Sequence, residues 1–315
     1  MHRSIALLVL GLLTGCTAPA AGVDAQWELV WADEFDGDAL DRSKWAPEES
    51  CWGGGNDERQ CYTDRTENIE VSEGVLRLKG REEQFTGPLR PPEIADDPNP
   101  TRTQQYTSGK VRTKGIAAWK YGRIEVRAKV PAGQGLWPAV WMMPDEPTYG
   151  PWPLSGEIDI LETVNIGAHC DECPVSNVEN RTVSALHFGE LPPGNAYLDA
   201  KTPLATGELP SDGFNTYSVE WGEGLIVFFV NGEEHLRVNQ EEWFTGSELA
   251  DGNANAPFDQ PFYVMANLAV GGRWPERDNE KGLDPEALPA ELQIDWIRVY
   301  QCAGDRETGR DCMTQ

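Results

Sequence analysis

Hydrophobic and polar residues alternate along this chain in short runs and do not recur at helical spacing. In Arg123-Ile124-Glu125-Val126-Arg127-Ala128-Lys129 every second residue is apolar, which predicts a strand with one face in water and one on the core. Leu225 to Val238 reads as a hairpin with Asn231-Gly232 as its tight turn, and Val71 to Lys79 as two strands around Glu73-Gly74. No long helical period competes. Many short strands, many turn residues and no strand-helix alternation predict an all-β fold, an antiparallel β-sandwich. Gln84 to Gln105 holds five prolines without periodicity and is expected to be a surface loop.

One stretch departs from simple alternation. In Ser155-Gly156-Glu157-Ile158-Asp159-Ile160-Leu161-Glu162, Glu157 and Asp159 project from one face of a strand, because side chains alternate across it. Glu162 is five residues from Glu157 and belongs on the opposite, apolar face unless a β-bulge around Ile160 and Leu161 absorbs one residue. The bulge re-aims it, and three acids then share a face. Like charges so close are costly, and no base lies between Thr148 and Val164 to neutralise them. Trp137, Trp141 and Trp152 flank the cluster. Paired carboxyls beside exposed aromatics suit glycoside hydrolysis, in which one acid protonates the leaving oxygen and another is nucleophile or base. The competing reading is a solvated strand face whose acids pair with distant bases.

Gly156-Glu157-Ile158-Asp159-Ile160-Leu161-Glu162 resembles the signature of glycoside hydrolase family sixteen, in the bulged form of its laminarinases. Trp31 to Asp36, Gly53 to Glu58, Tyr106 to Gly109, Tyr121 to Glu125, Trp137 to Trp141 and Asn267 to Gly272 also resemble that family, in its order, and coverage runs from about residue 27 to 301. The resemblance implies a curved jelly roll whose concave face forms the cleft, with Gln84 to Gln105 over one end. It implies that Glu157 is the nucleophile, Glu162 the acid/base and Asp159 the neighbour that orients the nucleophile. In a curved strand the Cα atoms of Glu157 and Glu162 lie about 13 Å apart and their side chains converge. Carboxyls separated by about 5 to 5.5 Å give retention through a covalent intermediate. Crowding is expected to raise one carboxyl pKa.

Tryptophan, with 12 residues, outnumbers tyrosine and phenylalanine, and its ring stacks on the C–H face of a β-pyranose. Trp137 and Trp141, four apart in a strand, share a face and are assigned with Trp152 to sugar platforms, core packing being the alternative. Asn56, Trp119, Arg123, His187 and Trp274 match sugar-contacting positions of similar enzymes, although a histidine in Leu186-His187-Phe188 also suits a core. The resemblance further implies a structural calcium held by Glu34, a Gly74 carbonyl and Asp295; ordinary solvated acids are the equal alternative. Catalysis itself needs no cofactor.

The 315 residues, 39% of them hydrophobic, are enough for one large domain, and no linker divides them. A formal charge of -26 repels phosphate backbones and anionic headgroups, so the expected partner is a neutral polymer, a β-glucan, and not nucleic acid. A monomer is expected. His2 and Arg3, the apolar run Ile5 to Leu13 and then Leu13-Thr14-Gly15-Cys16 resemble a bacterial lipoprotein signal. The expected divisions are a signal peptide at 1–15, a lipidated Cys16 with tether at 16–26, a catalytic domain at 27–301 and a cysteine-bearing tail at 302–315. That places the protein outside the cytoplasm, anchored to a membrane, with an ordinary secretory signal as the alternative. The other six cysteines cluster as Cys51 with Cys61, Cys170 with Cys173 and Cys302 with Cys312, which suggests three local bridges. Cys170 and Cys173 also read as half a zinc site or a redox pair, but no second pair sits at suitable spacing. Within the family's substrate range, mixed-linkage glucan, agarose and carrageenan stay open. So do a wall transglycosylase and a non-catalytic glucan-binding protein.

Overall fold

The computed structural model describes residues 26–173 and 177–313. The strands, in chain order, begin with β1 (Trp27–Asp33), β2 (Ala46–Pro47), β3 (Gln60–Tyr62), β4 (Ile69–Ser72), β5 (Val75–Pro88) and β6 (Thr101–Ser108). Then come β7 (Lys110–Arg112), β8 (Gly122–Lys129), β9 (Leu136–Pro144), β10 (Glu157–Glu162), β11 (Arg181–Gly189) and β12 (Asn195–Pro203). The last are β13 (Asn215–Gly222), β14 (Leu225–Val230), β15 (Glu233–Asn239), β16 (Phe262–Val270) and β17 (Ala290–Cys302). Short 3-10 turns are the only helices among the described residues, none of them long and apolar enough to cross a membrane. The lipidation and tether expectations at Cys16 and up to residue 25 lie outside the described residues.

Two sheets form. A ten-stranded sheet runs β15-β14-β13-β8-β17-β5-β6-β3 with β1 and β4 added on, and a seven-stranded sheet runs β12-β11-β10-β9-β16-β7-β2. Alternation decides which side chains meet between them. From the first sheet Leu76, Leu78, Ile124, Val126 and Ala128 point inward, and from the second Val140, Met142, Ile158, Leu186, Val264 and Leu268 do, all in one core. The turns follow from backbone chemistry. Glu73-Gly74 and Asn231-Gly232 both hold positive φ at both positions, 55° and 73° in the first and 52° and 82° in the second, as a two-residue hairpin with matching twist demands.

The segment from Gln84 to Gln105 is not one loop. Its ends extend β5 and begin β6, paired from Phe85 with Gln104 to Pro88 with Thr101, and only residues 89–100 connect them. Cross-strand contacts between polar side chains, such as Thr86 with Thr103 at 2.7 Å, hold this ribbon without an alternating apolar face to announce it. All three expected disulfides form: Cys51 with Cys61, Cys170 with Cys173 and Cys302 with Cys312. The last folds the tail back, so that Met313 is buried against Val227 and Phe229.

Candidate active site

The open face of the seven-stranded sheet is built by register. Between β10 and β9, Asp159 pairs with Trp141 and Leu161 with Val140, so Ile160 is the extra residue; against β11 the register also shifts between Asp159 and Glu162. The bulge buries Ile158, Ile160 and Leu161 together in the core. Glu157, Asp159 and Glu162 consequently share the opposite face. Across it, Glu157 stands opposite His187, whose own neighbour on β12 is Tyr197, while Glu162 stands opposite Ala139 and Ala139 opposite Asn267.

The three acids sit in different surroundings. Glu157 is half-buried and accepts a 2.5 Å hydrogen bond from the Trp152 indole, which is 40% exposed. Asp159 is buried, and its Oδ2 lies 3.3 Å from His187 Nε2, close enough for an ion pair but off the line of a hydrogen bond. Glu162 is also buried and accepts a 2.9 Å bond from the Trp137 indole. Burial is the largest influence on both inner acids. It raises Asp159 well above the usual carboxylate range, with Glu157 and Glu162 adding to the shift. Glu162 is pushed up to about 7 by burial, with Glu157 and Asp199 adding and His187 and the Trp137 bond opposing. Burial alone lowers His187, yet contact with Asp159 and the charges of Glu157 and Glu162 outweigh it and lift the imidazole to about 10. The imidazole is the better holder of the proton because it faces three carboxyls at once.

Aromatic rings line both sides of the acids. Trp137 meets Trp274 edge to face at 5.3 Å, and Trp152 and Tyr197 flank His187 at 6.2 and 5.7 Å. Trp141 is half-buried and donates to Asn267 Oδ1 at 2.7 Å, with the Lys110 ammonium 5.1 Å from its ring. Asn56 is exposed in the loop before β3, where its carbonyl accepts from Arg273 beside Trp274. The sequence therefore brings Trp137, Trp141, Trp152, His187, Asn56 and Trp274 to one region. It did not single out Asn267, Tyr197, Asp199 or Lys110. Asn267 carried a signal, being the one amide in the nine-residue run of β16, whereas Tyr197 on a half-polar strand did not.

Two expected contacts belong elsewhere. Trp119 is buried and packs edge to face on Trp31 at 5.3 Å within the core, which its large apolar ring favours. Arg123 lies on the outward face of the ten-stranded sheet, because Ile124 next to it points into the core. Its guanidinium binds Glu125 at 2.5 Å and Glu220 at 2.7 Å.

The acids assigned to calcium do not fit that ion in this arrangement. Arg298 grips Glu34 through two bonds of 2.8 Å, and Arg127 pairs with Asp295, so both carboxylates are already neutralised. Two groups of side chains bring three ligating atoms within 4.8 Å of one another, Cys170, Cys173 and Glu179 in one and Glu157, Asp159 and His187 in the other. The first is closed by its disulfide. In the second the imidazole already supplies the opposing charge.

A sandwich with buried and half-buried carboxyls side by side on an aromatic-lined face defines a glycoside hydrolase, whose chemistry needs no cofactor. The family model for the GH16 domain of β-porphyranases A–D matches residues 27–302, and the chain belongs to glycoside hydrolase family sixteen. It is 37% identical over 287 residues to the glucan endo-1,3-beta-glucosidase A1 of Niallia circulans, covering 88% of this chain but only 38% of that protein. It is also 37% identical over 311 residues to the beta-glucanase of Rhodothermus marinus, covering 96% of this chain and 95% of the relative. The solved laminarinase of Rhodothermus marinus superposes with a TM-score of 0.69 at 35% identity, over 87% of this chain and 97% of that one.

Proposed function

We propose that this chain is a retaining endo-β-1,3-glucanase. The observation that carries this reading is the divergence between two carboxyls on one bulged strand: Glu162 is buried and pushed up to about 7, while Glu157 stays half-buried against an indole N–H. Glu162 therefore keeps a proton near neutrality and gives it to the glycosidic oxygen as that bond breaks. Glu157 attacks the anomeric carbon, and Asp159 orients it. Glu162, now ionised, takes a proton from water, which displaces Glu157 and returns the anomeric centre to its first configuration. The substrate follows from the glucanase relatives and from the charge of the face. Several of the cations around it are already paired, Lys110 with Glu48 at 3.1 Å, Lys201 with Glu179 at 3.6 Å and Arg273 with Asp57 at 2.7 Å, which disfavours a sulfated polymer.

Reducing sugar released from laminarin, lichenan, agarose and carrageenan decides the substrate. Laminarin is expected to be cleaved fastest, with kcat/KM falling as pH rises through about 7 and Glu162 loses its proton. Preference for either galactan would replace the glucan assignment. An inert protein that still binds laminarin would make the chain a lectin, and oligosaccharides longer than the substrate would make it a transglycosylase.

We further infer that the protein acts outside the cytoplasm as a monomer, lipidated at Cys16 after cleavage of residues 1–15. Thr17 follows the cysteine, which favours the outer membrane of a Gram-negative host. Radiolabelled fatty acid is expected to enter the wild type and not the Cys16→Ser variant. A freely soluble, unlabelled wild type would sink the anchor.

A further inference from the structure

We propose that His187, in its imidazolium form, is the positioning residue that acts as counter-ion to the whole acid trio, and is not a contact for sugar. The inference rests on the reading of Glu157 as nucleophile and Glu162 as acid/base. Its basis is geometric. Antiparallel pairing puts His187 directly opposite Glu157, so its ring rises from the same face as the acids. Nε2 stands 3.3 Å from Asp159 Oδ2, a buried oxygen with no hydrogen-bond partner of its own among the described residues. A buried carboxyl oxygen with nothing facing it is expensive, and the imidazolium is the group that faces it.

Among the described residues, the surroundings of the ring offer no substitute. From β10 the ring faces Glu157, Asp159 and Glu162; from β12 it faces Tyr197, with Asp199 two residues on; from the loop before β10 it faces Trp152. Lys201, further along β12, is committed to Glu179 and stands 5.6 Å from the Trp274 ring. Trp152 and Tyr197 flank the imidazole and both keep exposed surface for substrate. Two aromatic walls, a strand opposite and a carboxyl beneath hold one cation against three acids. Such a cation offsets the negative charge that the three acids concentrate on one face, so removing it makes the cluster as a whole harder to ionise.

The test separates charge from contact. In His187→Gln, which keeps a donor of similar reach without the charge, both limbs of the pH profile for laminarin hydrolysis are expected to move up by about one unit. At the wild-type optimum kcat falls on the order of tenfold, and KM stays within about twofold. His187→Lys retains a cation and is expected to keep the wild-type limbs. In the unaltered protein, ring nitrogen NMR shifts are expected to show His187 still protonated at pH 8. A neutral ring at pH 7, a raised KM with unmoved limbs, or lowered stability with unmoved limbs would overturn the proposal. A wild type inactive on every polysaccharide would overturn the functional reading and this one with it. An active wild type whose limbs ignore the substitution would overturn this one alone.

Discussion

Truncating Glu157 to Ala is expected to cut turnover of an activated aryl β-glucoside on the order of 10⁴-fold, and azide to restore part of it as the α-glycosyl azide. The small anion enters the space left by the carboxylate and displaces the leaving group once, with inversion. Glu162→Ala behaves differently. Glu157 still forms the glycosyl-enzyme when the leaving group needs no proton, but the base that activates water is gone, so the intermediate accumulates. Azide needs no base and completes a second inversion, giving the β-azide. Product stereochemistry by NMR reads the result. The same anomer from both variants, or full activity in either, would mean that the roles of Glu157 and Glu162 are misassigned.

The largest effect on stability is expected at Asn165, three residues beyond Glu162. Its side chain is fully buried: Oδ1 accepts from Gly135 N–H at 2.7 Å, and Nδ2 donates to the Pro275 carbonyl at 2.9 Å and Asn279 Oδ1 at 2.8 Å. Its backbone is left-handed, with φ 58°, a conformation asparagine tolerates better than most residues. One amide thus ties the strand connection before β9, the chain leaving β10 and the loop that carries Trp274. Asn165→Ala orphans the Gly135 donor and strains the backbone, together costing roughly 3 to 5 kcal/mol. For a domain of this size the midpoint of thermal unfolding should fall by about 10 °C. Loosened Trp274 should raise KM as well. Asn165→Gly removes the amide but not the left-handed conformation. If that variant melts with the wild type, the hydrogen bonds matter little and the argument fails.

Local signals in the chain were enough for the strands that carry the chemistry. Glu157 to Glu162 announced its own bulge, because only an extra residue reconciles five-residue spacing with a shared face, and Asn231-Gly232 announced its hairpin. The cysteines announced their partners by nearness. What stayed hidden was set by distant pairing. Arg123 sits in a regular alternating strand, and nothing local says which sheet that strand joins, so its polar face was as good a sugar contact as any until β8 was found between β13 and β17. Trp119 was ambiguous for the same reason, an apolar ring being at home in a core or under a sugar. That Arg298 and Arg127 come from other positions in the sheet to pair with Glu34 and Asp295, the acids assigned to calcium, was likewise invisible locally. His187 was recognised as a site residue, but its position opposite Glu157 exists only once β10 and β11 are in register.

The pairing of the first strand with the last has an engineering consequence. Trp27 lies opposite Cys302, Ala303 N–H donates to the Gln26 carbonyl at 3.0 Å, and the Cys302–Cys312 bridge holds the tail beside them. Both ends of the described chain therefore leave from the ten-stranded sheet, and the acids lie on the other one. A surface, a bead or a second protein joined at either end would face the back of the molecule and leave the glycan-binding side open to a long polymer. The same nearness would let a short peptide join the two ends, so that new termini could be opened in the exposed segment 89–100 while the sheet carrying Glu157 and Glu162 stayed uncut.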